Sequence, residues 1–214
     1  MGVLKIESVE NKIIQEMYDR AMSELKEIFE INWKYNVPSI LLIPDRKTYD
    51  SFRNKKTEDW EVGLSTGRHI FLLSPDNYEQ ESSHKYSDEE YYSLLKHELT
   101  HAFSHIITRN SNPIWFTEGV AIFLSGQNKT KTPLKEFSTF LNYFQNGGKG
   151  VYRESGFAVE LLYNKYGKKK LLEILKFMNT YPNEEQFKIK FEEIYPVKLE
   201  YDSFNQMLIG SKTK

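Results

Sequence analysis

At 214 residues the chain can bury a core of its own without covalent staples, and it is most simply one domain. Its 29 Lys+Arg against 30 Asp+Glu leave a formal net charge of −1, so there is no electrostatic footprint for nucleic acid or for an acidic membrane surface. No cysteine means no disulfide framework and no thiolate metal site, and no apolar run approaches the roughly 20 residues that span a bilayer. The opening MGVLKIESVENK lacks the apolar core of a signal peptide. As given, the sequence reads as cytoplasmic, or as exported if a leader has been removed. The oligomeric state stays open.

Taken in order, residues 8–34 read as a helix, because Ile14, Met17, Ala21, Leu25 and Ile28 recur at three and four. The run SILLI at 39–43, bounded by Pro38 and Pro44, predicts a short buried strand. Asp45 is placed to cap a short helix carrying Tyr49 and Phe52. Residues 62–64 and 69–74 predict two strands around Ser65, Thr66 and Gly67. The polar stretch 75–86 predicts a loop.

Residues 87–125 carry the chemistry. Ser87 with Glu90 three positions on is a capping box, and Asp88, Glu89 and Glu90 suit the positive end of a helix dipole. Tyr91, Leu95, Leu99, Ala102 and Ile106 form an apolar stripe, while His97, His101 and His105 form a second line elsewhere on the helix. His97, Glu98 and His101 make the pattern H-E-x-x-H. Histidines four apart lie one turn apart with about a 40° offset, so two imidazoles can converge on one ion. Glu98 lies about 100° around from His97, within reach of a water on that ion. A zinc site needs a third protein ligand and keeps a fourth position open. Glu118, in the segment WFTEGVA that follows the turn at Asn112-Pro113, is the candidate. Its competing role is a carboxylate favoured by the start of its own helix. His105 suits a supporting position, and His69 and His84 read as strand or surface residues.

Beyond Ser125 the pattern is helical. Helices are predicted at 137–144, at 152–166 with Gly167 as the stop, from Lys168 through Met178, at 184–194 and at 200–209. The glycines of 146–150 lack the spacing of a phosphate loop and predict a turn. The whole reads as α+β: a single domain with a mixed lobe over about 1–110 and a helical lobe over about 111–214.

HELTHAF followed by PIWFTEGVA resembles the gluzincin metallopeptidases, specifically the peptidase MA-like family. HIFLLSP and YRESGFAVELLYNKYG are similar to that family as well, so the likeness covers roughly 37–198. It implies a zincin-like fold, with a small mixed sheet and the active-site helix in the first lobe and helices in the second. It also implies one zinc held by His97, His101 and Glu118, Glu98 as general base, and a peptide or protein substrate. Tyr152 matches the position at which relatives place an oxyanion-stabilising tyrosine, with Arg153 beside it. The likeness further implies that strand 69–74 belongs to a sheet whose edge takes substrate backbone; a plain core strand is the competing reading.

Two departures stand out. Ile122 occupies the place where some gluzincins carry an acidic residue that orients a zinc histidine, leaving Asn112, Thr117 or a backbone carbonyl for that task. There is also no G-x-M-E-N segment, which favours an endopeptidase over an aminopeptidase. The alternative is a catalytically inactive zincin-like protein that binds metal or regulates a partner.

Overall fold

The computed structural model describes residues 8–148 and 150–212. The chain divides into two compact units, the first ending at Ala102 and the second beginning at Phe103. The first holds a small mixed sheet with helices, and the second is largely helical, a general α+β architecture. No helix among the described residues is long and apolar enough to cross a membrane.

In the first unit, helix α1 spans Lys12–Phe29, shorter than the 8–34 read from periodicity. Its ends are set by local chemistry. The Asn11 side chain accepts from the Ile14 N–H, and Glu30 adopts a left-handed φ of 58° that stops the helix. Ile14, Met17, Ala21 and Leu25 are buried as the stripe predicts, with Phe29 rather than Ile28 completing the face.

The sheet has the order β1-β3-β2, built from Ser39–Ile43, His69–Leu73 and Gly63–Thr66 respectively. β1 runs parallel to β3, and β2 antiparallel to it, with Thr66 opposite His69. The hairpin turn is Gly67-Arg68, one step later than expected, and Gly67 supplies the positive φ of 60° such a turn needs. Central β3 buries Ile70, Leu72 and Leu73, while Phe71 packs on Phe52 of α2 (Arg46–Arg53) at 4.7 Å. Strand 69–74 is therefore a core strand, not an edge; β1 and β2 are the edges. β1 is only half-buried along most of its length, less than the buried strand anticipated.

The stretch 75–86 is more ordered than a plain loop. It holds a 3₁₀ turn at Pro75–Asn77 and the single helical turn α3 (Tyr78–Glu81), pinned by the buried ring of Tyr78 against Tyr91. Helix α4 (Asp88–Thr108) then begins where Ser87 accepts from the Glu90 N–H. Tyr91, Leu95, Leu99 and Ala102 are buried as predicted; Ile106, at 42% exposure, is not part of the buried stripe. Two ties anchor the helix: the Tyr91 hydroxyl donates to the Leu73 carbonyl, and Lys96 and Tyr92 both bind the Glu24 carboxylate of α1.

In the second unit, α5 (Ile114–Ser125) packs closely on α6 (Val151–Met178). A β-carbon on Gly119 would lie 2.6 Å from the Ser155 carbonyl oxygen, so the two backbones touch there. Trp115, Phe137, Phe140, Phe187, Phe191 and Phe204 interlock beside them, joined by α7 (Glu184–Ile194) and α8 (Tyr201–Lys212). Gly167 breaks α6 with φ 80° and ψ 173°, the interruption the sequence predicts, and the second half resumes at once.

Residues 137–144 are the clear miss. They hold only a 3₁₀ turn at Phe140–Asn142. Their backbone donors go elsewhere: the Glu154 carboxylate accepts from the N–H groups of Ser138, Thr139 and Phe140, and Asn205 accepts from Phe137. The turn expected over 146–150 includes Lys149, which lies outside the described residues.

Candidate metal centre

Helix α4 places His97 and His101 one turn apart, and their Nε2 atoms stand 3.1 Å from each other. The rings are nearly perpendicular, at 80°. Two nitrogens each about 2.05 Å from one ion at a tetrahedral angle would be roughly 3.3 Å apart, so the pair already has close to the spacing of two ligands on one metal. Glu118 of α5 completes a group whose ligand atoms all lie within 4.8 Å of one another. Two imidazoles and a carboxylate suit zinc, and leave a position open. The three residues can hold a metal ion, and the donor set fits the one the sequence implied.

No protein-family model, curated protein or solved structure matches the chain.

Glu98 belongs to the same turn of α4. It is 7% exposed, yet no group among the described residues donates a hydrogen bond to its carboxylate. Its neighbour is β2: a β-carbon on Gly63 would sit 2.7 Å from Glu98 Oε1 and 2.9 Å from Leu94 Cδ1. The buried Tyr49 hydroxyl fixes that strand by donating to the Gly63 carbonyl at 2.6 Å. Burial, and then the charge of Glu98, hold the Tyr49 hydroxyl well above the usual tyrosine range, so it stays a donor. Gly63→Ala is expected to lower stability by about 1–3 kcal/mol, seen as a lower urea midpoint, because Glu98 and Leu94 must shift. The three ligand residues should still take up metal.

The remaining predicted residues fall elsewhere. His105 is exposed and outside the metal group, His69 is exposed at the start of β3, and the ring of His84 meets the Trp60 carbonyl at 3.0 Å. The Thr117 hydroxyl donates to the carbonyls of Ser111 and Ile114. Tyr152 opens α6 half-buried, and its carbonyl accepts the Lys131 ammonium at 2.5 Å. Tyr49 carries no local mark in the sequence. Gly63 does carry one, since a glycine in a strand pattern marks close backbone approach.

Proposed function

We propose that this chain binds one zinc ion through His97, His101 and Glu118. The observation that carries the reading is the 3.1 Å approach of the two Nε2 atoms, with the Glu118 carboxylate completing the group. A zincin-like fold of the gluzincin kind, suggested by HELTHAF and PIWFTEGVA, accords with the mixed sheet beside α4 and the helices that follow. The test is metal content by elemental mass spectrometry on wild type and Glu118→Ala after reconstitution. About one zinc per chain, lost or loosened in the variant, is the expected result. A wild type that takes up none would sink the reading.

A second reading, zinc-dependent hydrolysis of peptide bonds within extended chains, is favoured by Glu98. Its side chain is only 7% exposed and sits next to His97 in the sequence, which supports a general-base role. Zinc at such a site lowers the pKa of water and polarises a carbonyl. Glu98 would accept the proton and return it to the leaving amine. Tyr152 remains the proposed oxyanion partner by its place in YRESG. The alternative within the same geometry is a metal-binding or regulatory protein without turnover, which needs only the three ligands.

A further inference from the structure

In the sheet order β1-β3-β2, β1 is bonded to β3 on one side only. Ser39 donates to the Arg68 carbonyl at 2.8 Å, and the Ile43 carbonyl accepts from Ser74 at 2.7 Å. Such contacts alternate along a parallel ladder, so Ser39, Leu41 and Ile43 turn their backbone groups towards β3. Pro38, Ile40, Leu42 and Pro44 turn theirs outward. The two prolines have no N–H, and their carbonyls already accept from the Tyr18 hydroxyl at 2.7 Å and the Asn77 amide at 3.1 Å. Among the described residues no group pairs with the N–H or the carbonyl of Ile40 or Leu42. The open part of the edge is therefore Ile40 and Leu42, closed at both ends. Exposed edges are commonly guarded by charged side chains, and residues 38–44, PSILLIP, carry none. All of these residues belong to the first unit.

We propose that β1 pairs with β1 of a second copy of this chain, antiparallel about a two-fold axis at Leu41. In that register Ile40 lies opposite Leu42 of the second copy, and the two exchange both N–H···O bonds. Pro38 lies opposite Pro44, so no N–H is stranded at either end of the ladder. A slip of two residues sets Ile40 or Leu42 against a proline, which offers neither an N–H nor a free carbonyl. The edge thus satisfies all its open groups in one register, and that register is self-complementary. This is what favours a second copy over an unrelated strand. The side chains agree. Ile40 and Leu42, half-buried on one face, meet each other across the junction. On the other face Leu41, Phe71 and Leu64 form a half-buried row, and the two Leu41 residues, about 4.5 Å apart at Cα, carry that row into the second copy. Such isologous pairing closes at two copies. It is independent of the metal reading.

The test is sedimentation equilibrium on the full chain over about 1–500 µM, a range set by the weak dimer that so short a ladder predicts, with a Kd on the order of 10–100 µM. The Ile40 and Leu42 amides should exchange more slowly as concentration rises. Leu41→Lys sets like charges together at the axis and should weaken the dimer by at least about tenfold. Leu64→Lys, in the same row but on β2, should leave it unchanged. The chain has no cysteine, so Leu41→Cys introduces a single thiol; under mild oxidation it should give a disulfide-linked dimer far faster than Leu64→Cys does. Where Leu41→Lys fails to fold, the comparison of the two cysteine variants decides. A wild type that stays monomeric throughout the range overturns the proposal and leaves the edge to an extended segment of another protein. A dimer indifferent to Leu41→Lys, or one in which Leu41→Cys does not cross-link, overturns it too, because its contact then lies elsewhere.

Discussion

Replacing Glu154 with alanine is expected to destabilise the fold by about 3–5 kcal/mol, since three backbone donors would lose their partner at once. Glu154 is 2% exposed, and its Oε2 accepts from the N–H groups of Ser138, Thr139 and Phe140 at 3.0, 2.9 and 3.1 Å. No continuous helix runs through 138–140 to take those donors. Burial alone would raise this carboxyl, but the hydrogen bonds from Thr139, Ser138 and Phe140 outweigh it and hold it below the usual carboxylate range. The sign follows from that depression. Protons bind the unfolded chain more readily, so the stabilisation is full above the ordinary glutamate pKa and lost as pH falls through the lower folded value. Urea midpoints measured near neutral pH and in acid should therefore drop steeply for wild type. In Glu154→Ala the midpoint should start lower and change less. Glu154→Gln keeps an acceptor oxygen but turns an NH₂ towards donors, and should fall between them. Equal stability of Glu154→Ala and wild type near neutrality would remove Glu154 as the organiser of this segment.

That same residue explains why part of the fold was not legible. The apolar spacing of Phe137, Phe140 and Phe144 mimics a helix, and all three are buried. Periodicity records burial, but it does not record where the backbone donors go, and here they go to side chains distant in sequence. Helix α4 was legible for the opposite reason: its cap, its buried face and its histidine pair all lie within the helix or next to it. The parallel pairing of β1 with β3 has no local mark, because it joins strands separated by α2 and β2. The site divides the same way. His97 and His101 are fixed by one turn of helix, and Glu118 could be named only as a candidate, since its approach depends on how α5 packs. Gly63 and Tyr49 act through contacts that only the folded chain displays.

Glu98→Gln is the substitution that separates the two functional readings. It keeps the side chain's size, so Gly63 still clears it, and it leaves His97, His101 and Glu118 untouched. Zinc content and urea midpoint are expected to match wild type. If Glu98 is the proton acceptor, the amide cannot replace it, and hydrolysis of an unstructured protein substrate should fall by about 10²–10⁴-fold. The loss should appear in kcat, because removing a base weakens the transition state more than substrate binding. Equal hydrolysis by zinc-loaded wild type and Glu98→Gln would sink the base assignment. A zinc-loaded wild type that cleaves nothing across a broad peptide library would point instead to metal binding without turnover.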